Sequence, residues 1–206
     1  MKKVLIVVDL QNGFCENGEL PVQGGNSLPK IVNELMESGQ FDLVVATQDW
    51  HPEGHSSFVP KGPWPVHCVQ NTKSSEFHPE LNLQKVDKIV QKGNLMNFDS
   101  LSGFWDNTGE HRTELEAYLK AQGVEEVYVC GLATEYCVKS TAVDSIKAGF
   151  KTFFIEDASK GVNPVDVANA VKDIANLGIN VVQSNDILTL KSSNFNENVK
   201  DVQKVY

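Results

Sequence analysis

The sequence predicts an α/β fold: a single-domain, doubly wound three-layer sandwich around a six-stranded, mostly parallel sheet. Three observations carry that expectation. Strand-like runs alternate with amphipathic helical stretches along the chain. The runs are continuous and rich in β-branched residues, as strands covered on both faces require. Helix start and stop residues separate them. With right-handed crossovers, the expected strand order is 3-2-1-4-5-6. A chain of 206 residues suits one domain, 1–206, and can bury a full sheet-and-helix core.

The strands are expected at 3–9 "KVLIVVD", 42–47 "DLVVAT", 87–91 "DKIVQ", 126–131 "EVYVCG", 151–156 "KTFFIE" and 180–183 "NVVQ". A first helix is expected over 28–38, with Asn26 and Ser27 as caps, and a second over 110–122, ending at Gly123. The third, over 135–148, places Val138, Ala142, Val143 and Ile146 on one stripe and ends at Gly149. The fourth has Asn163 as N-cap, Pro164 at its first position and Gly178 just past its end. The polar tail "KSSNFNENVKDVQKVY" is compatible with a last helix or with fraying.

Composition bounds the function. The chain is 41% hydrophobic and 22% charged, ordinary for a globular domain, and its net charge of −9 argues against nucleic acid or an anionic membrane as partner. No apolar run approaches the roughly 18–20 residues of a membrane span, and "MKKVLIVVDLQ" lacks a signal-peptide pattern. Cys15, Cys68, Cys130 and Cys137 are irregularly spaced with no CxxC pair, which points to reduced thiols in a cytoplasm.

One segment breaks the rhythm. Residues 48–86 show little helical period and are rich in Pro, His, Gly and Asn, yet carry Trp50 and Trp64. A connection this long is usually functional or disordered, and its aromatic and histidine content favours a site-building excursion.

Ligand crevices in open α/β sheets lie beyond the carboxyl ends of the strands, where the strand order reverses. Asp9 ends strand one, Lys92 follows strand three and Cys137 follows strand four. Singly, each has a structural explanation: a turn cap, a solvated lysine, a small buried hydrophobe. Together they make a coherent acyl-transfer set. A thiol in the first turn of a helix, near an ammonium, is biased towards thiolate; a carboxylate can take its proton and return it to a leaving amine. Backbone N–H groups of "GLATEYC" would face a developing oxyanion. A second constellation is "DWHPEGHSSF" followed by "WPVHCV". Asp49 and His51, one residue apart on an extended segment, project the same way, and His67 returns from a proline-stiffened turn. Such ligands suit Zn2+, Fe2+ or Mn2+ with open positions. Surface turns and core hydrogen bonds are the alternative reading of these histidines.

The blocks "VVDLQNGFCENGEL", "TQDWHPEGHSSF", "WPVHCV" and "VCGLATEYCVKSTAVDSIKAGF" resemble the motifs of the nicotinamidases, within the isochorismatase-like cysteine hydrolases. The resemblance runs from residue 3 to about 157, in the family's order. It implies a nicotinamide amidohydrolase of NAD salvage working through a cysteine thioester, with pyrazinamide also hydrolysed. Asp9 would be the acid/base, Lys92 the thiolate-stabilising cation and Cys137 the nucleophile. Ala133 and Cys137 N–H groups would form the oxyanion hole, and the Leu132–Ala133 peptide would be cis. Asp49, His51 and His67 would hold one divalent metal, most readily Zn2+, that orients the pyridine ring; His55 is a possible further ligand. Phe14 and Trp64 would sandwich the ring, with Leu20, Leu132 and Tyr136 completing the pocket. A homo-oligomer is implied, although no interface can be read. Two departures stand out: Leu101 replaces a common aromatic residue, and Glu135 replaces the usual aspartate. A sibling amidohydrolase acting on a ureido or carbamoyl substrate is the nearest alternative. A non-catalytic metal-binding or redox-sensing protein is the alternative of a different class.

Overall fold

The computed structural model describes residues 1–189; the expectation for the polar tail lies outside them. Six strands form one parallel sheet in the order β3-β2-β1-β4-β5-β6: β1 (Lys2–Val8), β2 (Leu43–Asp49), β3 (Lys88–Lys92), β4 (Val124–Leu132), β5 (Lys151–Lys160) and β6 (Asn180–Val182). The helices are α1 (Leu28–Glu37), α2 (Leu115–Ala121), α3 (Lys139–Lys147), α4 (Pro164–Asn176) and α5 (Ser184–Leu188).

Strand alternation divides the core into two layers. Leu5, Val7, Val44 and Ala46 pack against Leu28, Val32 and Leu35 of α1 and Ile187 of α5. Val4, Ile6, Val8, Val127 and Val129 pack on the other face against Leu115 and Leu119 of α2, Ala142 of α3 and Ile174 of α4. β1 is therefore buried on both faces, which explains its unbroken apolar run.

The differences from the sequence expectation have local causes. Ser27 precedes α1 but its hydroxyl donates to Gly24 O within a 3-10 turn, and Asn26 Oδ1 accepts Glu16 N–H, so neither side chain caps the helix. α2 begins at Leu115, five residues later than expected from 110, because Asp106 gathers the preceding segment into a turn. The expected third helix opens as a π-helical turn, Thr134–Val138, before α3 proper. α5 escaped the periodicity reading because it has only five residues; its capping box, Gln183 and Asp186, was the available signal. At Asn163 the side chain caps α4 as expected, accepting from Val165 and Asp166 N–H.

The excursion over 48–86 carries two 3-10 turns, Lys73–Ser75 and Leu83–Lys85, and isolated bridges that tie His51 to Val69 and Phe58 to Trp64. It folds back over the carboxyl ends of β1 and β2, with Gln11 bridging to Phe77.

Candidate active site

The switch in strand order lies between β1 and β4, and the reactive side chains gather at its carboxyl edge. Asp9 follows β1 directly in a left-handed conformation, φ 47°. Thr47 of the neighbouring strand fixes it there: the Thr47 hydroxyl donates to Asp9 Oδ1 at 2.6 Å. Lys92 is the last residue of β3 and the register partner of Asp49, the last residue of β2. Gln11 pins Asp49 from below, accepting its N–H at 2.8 Å and donating to its carbonyl at 2.9 Å.

The Lys92 ammonium lies at the centre of the cluster. It is 2.9 Å from Asp9 Oδ2 and 2.6 Å from Asp49 Oδ1, donates to Ser100 O at 2.9 Å, and sits 3.5 Å from Cys137 Sγ. The side chains of Lys92 and Asp9 are both 0% exposed. The sequence reading placed Asp9, Lys92 and Cys137 at one sheet edge, and the fold brings them into contact. It also joins Asp49 to Lys92, a link the sequence reading missed.

Electrostatics follow from burial and that one cation. Burial raises the Asp9 carboxyl above its usual range, opposed by Lys92 and reinforced by Asp49. Burial works the same way on Asp49, but Lys92 and His51 outweigh it and hold that carboxyl well below the usual range. Burial opposes the Lys92 charge, yet Asp49 and Asp9 keep it firmly an ammonium. The expectation of a thiolate-biased Cys137 rests on Lys92, which does lower the thiol, but other groups oppose it. Burial pushes the thiol well up, and Asp9 and Asp49 add to the rise that Lys92 counters. The other cysteines are free and buried, with Cys15 pushed up to about 11 and Cys130 to about 12.

The second constellation also assembles. His51 Nε2 and His67 Nε2 lie 3.4 and 3.7 Å from Asp49 Oδ2. Their other ring nitrogens are committed, His51 Nδ1 to Gly93 O at 2.9 Å and His67 Nδ1 to Pro65 O at 2.8 Å. That arrangement turns both Nε2 lone pairs towards one carboxylate oxygen, and carbonyl bonds to the far nitrogen are the usual orienting shell of metal-bound histidine. His51 Nε2 is buried with no hydrogen-bond partner among the described residues. An unpartnered buried nitrogen beside a carboxylate fits a divalent cation. His55 stands apart: Ser57 Oγ holds its Nδ1 at 2.7 Å and Leu95 O its Nε2 at 3.0 Å. It groups instead with His51 and Asp99, and Asp99 is a carboxylate the sequence reading passed over. Its position in "NFDSLSGF", seven residues after Lys92, offered no periodic signal.

A small apolar pocket opens between Cys137 and the Asp49–His67 side of this cluster. Phe14, Leu20, Trp64, Leu101, Ala133 and Tyr136 contribute to its lining. Phe14 packs on His67 and Trp64 meets Tyr136 edge-on, with ring centroids 5.5 and 5.3 Å apart. Leu132 is a correction: it is fully buried in the α1-side core and does not line the pocket. The Leu132–Ala133 peptide is cis, and the Ala133 N–H has no hydrogen-bond partner among the described residues. Gly131 just before it adopts φ 121°, and a Cβ there would overlap the Val8 backbone, so β1 and β4 approach as closely as they do only because this residue is glycine.

A buried thiol, carboxylate and ammonium beside a metal-competent cluster and a ring-sized apolar pocket can bind a flat amide and transfer its acyl group. Comparison with known proteins agrees. The chain is 39% identical to the nicotinamidase of Acinetobacter baylyi, covering 89% of this chain and 94% of that protein. The pyrazinamidase of Pyrococcus horikoshii, solved in complex with zinc, is 42% identical with a TM-score of 0.80, covering 89% and 99% of the two chains. The PnC1 protein of L. infantum, solved in complex with nicotinate, is 36% identical with a TM-score of 0.86, covering 89% and 93%. The isochorismatase domain model matches residues 3–186, and the chain belongs to the isochorismatase family.

Proposed function

We propose that the protein is a nicotinamide amidohydrolase, converting nicotinamide to nicotinate and ammonia through a cysteine thioester, with pyrazinamide as a second substrate. The observation that carries this reading is the Lys92 ammonium held between Asp9, Asp49 and Cys137 Sγ, with Asp49 and Cys137 lining an apolar pocket together with His67.

The residues divide the work as follows. Asp9, with its raised pKa, accepts the Cys137 proton when substrate is aboard, and the sulfur attacks the carboxamide carbon. Lys92 offsets the charge that forms on sulfur. The N–H groups of Ala133 and Cys137 receive the developing oxyanion. Asp9 returns the proton to the amide nitrogen, the C–N bond breaks, ammonia leaves and the thioester remains. Asp9 then takes a proton from the water that cleaves the thioester and passes it to the departing Cys137 sulfur, giving nicotinate, the free thiol and one proton released to solvent. Asp49, His51 and His67 would hold a divalent cation, Zn2+ in this reading, which would offer the pyridine nitrogen a Lewis-acidic contact and so orient the ring. Phe14 and Trp64 flank the ring, with Leu20 and Tyr136 closing the pocket.

The zinc complex of the Pyrococcus pyrazinamidase and the nicotinate complex of the Leishmania protein support the metal and substrate assignments. No helix among the described residues is long and apolar enough to cross a membrane, which suits a cytoplasmic salvage enzyme. A homo-oligomer completes the reading, checked by sedimentation.

The test is ammonia release from nicotinamide by metal-loaded protein, beside Cys137→Ala and a chelator-treated sample. Release that disappears in both controls is the expected result. Absence of release from the loaded wild type would refute the assignment and direct attention to ureido or carbamoyl substrates.

A further inference from the structure

Glu135 lies two residues before the nucleophile, yet nothing in the chemistry above uses it. Its Oε1 accepts the N–H groups of Val162 and Asn163, at 2.8 and 2.9 Å. Its Oε2 is buried without a hydrogen-bond partner among the described residues. Gly161 passes so close that a Cβ on it would overlap Glu135 Oε2 and Val167 Cγ2. One carboxylate therefore ties the Cys137 turn to the strap over 161–163 that leads from β5 into α4.

That strap reaches the pocket. Val162 lines it, together with Leu101 and Tyr136, although the residue is 54% exposed. A residue so exposed is placed by its backbone more than by packing. On one side the backbone is fixed by Asn163, whose side chain caps α4. On the other it is fixed by Glu135. A buried carboxylate oxygen left without a partner among the described residues is unfavourable for the folded state, so stability alone does not explain an acid here.

We propose that Glu135 is a positioning residue whose bonds to the strap hold Val162 at the pocket mouth and thereby limit the size of the ring that can enter. The proposal rests on the amidase reading and goes beyond it by naming what sets ring selectivity. A bland alternative is that Glu135 merely places a negative charge in a helical first turn. That alternative predicts no change in selectivity.

The test compares metal-loaded wild type with Glu135→Ala, Glu135→Gln and Val162→Ala. Readouts are kcat and KM for nicotinamide and for quinoline-3-carboxamide, bound metal, Tm, and hydrogen exchange at the amides of 162–163. Loss of two charge-assisted bonds should raise KM for nicotinamide about tenfold in Glu135→Ala, with kcat within about threefold and metal content unchanged. The preference for the single ring over the fused one should fall about tenfold. Val162→Ala should reproduce that loss of preference without lowering Tm, and the double variant should lose no more. Glu135→Gln keeps an acceptor for both N–H groups and should lie between wild type and Glu135→Ala. A preference that changes in Val162→Ala but not in Glu135→Ala would overturn the proposal. So would a parallel fall of kcat and Tm in Glu135→Ala with selectivity intact. Hydrogen exchange separates this failure from failure of the amidase reading. Faster exchange at 162–163 in Glu135→Ala is expected whatever the substrate, and unchanged exchange would remove the tether itself.

Discussion

Replacing Lys92 by methionine keeps the volume of the side chain and removes its charge, leaving Asp9 and Asp49 facing each other without a cation. Lys92 contacts both carboxylates within 3 Å and is 1% exposed, so water cannot substitute. Breaking a buried ion pair from one side costs about 3–5 kcal/mol. At about 2–4 °C per kcal/mol for a chain this long, Tm should fall by roughly 6–20 °C. The penalty depends on pH, and its sign can be worked out. In the wild type Asp49 is held below its unfolded value, so it stabilises above about pH 4 and loses that contribution as pH falls. In Lys92→Met both carboxyls are pushed above their unfolded value, so they destabilise at neutral pH and are relieved on acidification. The gap between the two proteins should therefore be widest near pH 7.5 and narrow towards about pH 4.5. Adding Asp9→Asn to Lys92→Met removes one stranded charge and should recover about 1–3 kcal/mol relative to additivity. Thermal and urea melts across that pH range measure all three proteins. A gap that is constant with pH, or a double variant no more stable than Lys92→Met, would refute the reasoning.

Gly93→Ala should loosen metal binding by about 10–100-fold without touching a ligand, because a Cβ there would lie 2.5 Å from His51 Cε1 and 2.8 Å from Nδ1; titration with zinc and a competing chelator measures it. Asp106, which accepts from Thr108, Glu110 and His111, has its carboxyl lowered to about 2. Its contribution is thus present above about pH 4 and lost as pH falls through about 2, so Asp106→Asn should cost about 1–2 kcal/mol at pH 7 and much less near pH 2, as read by urea melts. His67→Ala should empty the metal site while leaving alkylation of Cys137 by iodoacetamide within about threefold, whereas Asp49→Asn should change both; equal effects of the two variants on alkylation would count against Asp49 as a shared residue.

The fold was legible because each strand buried on both faces has to be apolar along its length, and that pattern needs no knowledge of partners. Helix boundaries were less so where side chains bond locally. Asp106 holds back the start of α2 through turn bonds that periodicity cannot register, and Ser27 spends its hydroxyl on Gly24 rather than on α1. Asp9, Lys92 and Cys137 could be grouped from topology, since all three stand at strand ends near the reversal of order. Their protonation could not be. Position and a nearby cation argue for a thiolate, while burial and two carboxylates argue against it, and the opposing groups are brought together only by packing. Leu132 was misplaced for a related reason: its peptide serves the site while its side chain serves the core.

The sequence also separates what the structure joins. Asp49 belongs by spacing to the histidines and Lys92 belongs by position to the thiol, yet Asp49 uses one oxygen for each group: Oδ1 meets Lys92 and Oδ2 meets the two histidines. Such a cluster is poor value for stability, since three charges lose their hydration to form it. What it provides is rigidity of placement. Gln11 and Thr47 fix the two carboxylates through backbone and hydroxyl bonds, Ser100 O fixes the ammonium, and the cation cannot leave one carboxylate without stranding the other. In the proposed reading, a ring held on the histidine side and an amide offered to the thiol side would be registered through a single side chain. The distance between ring contact and nucleophile would then be a property of Asp49 and the parallel strands on either side of it.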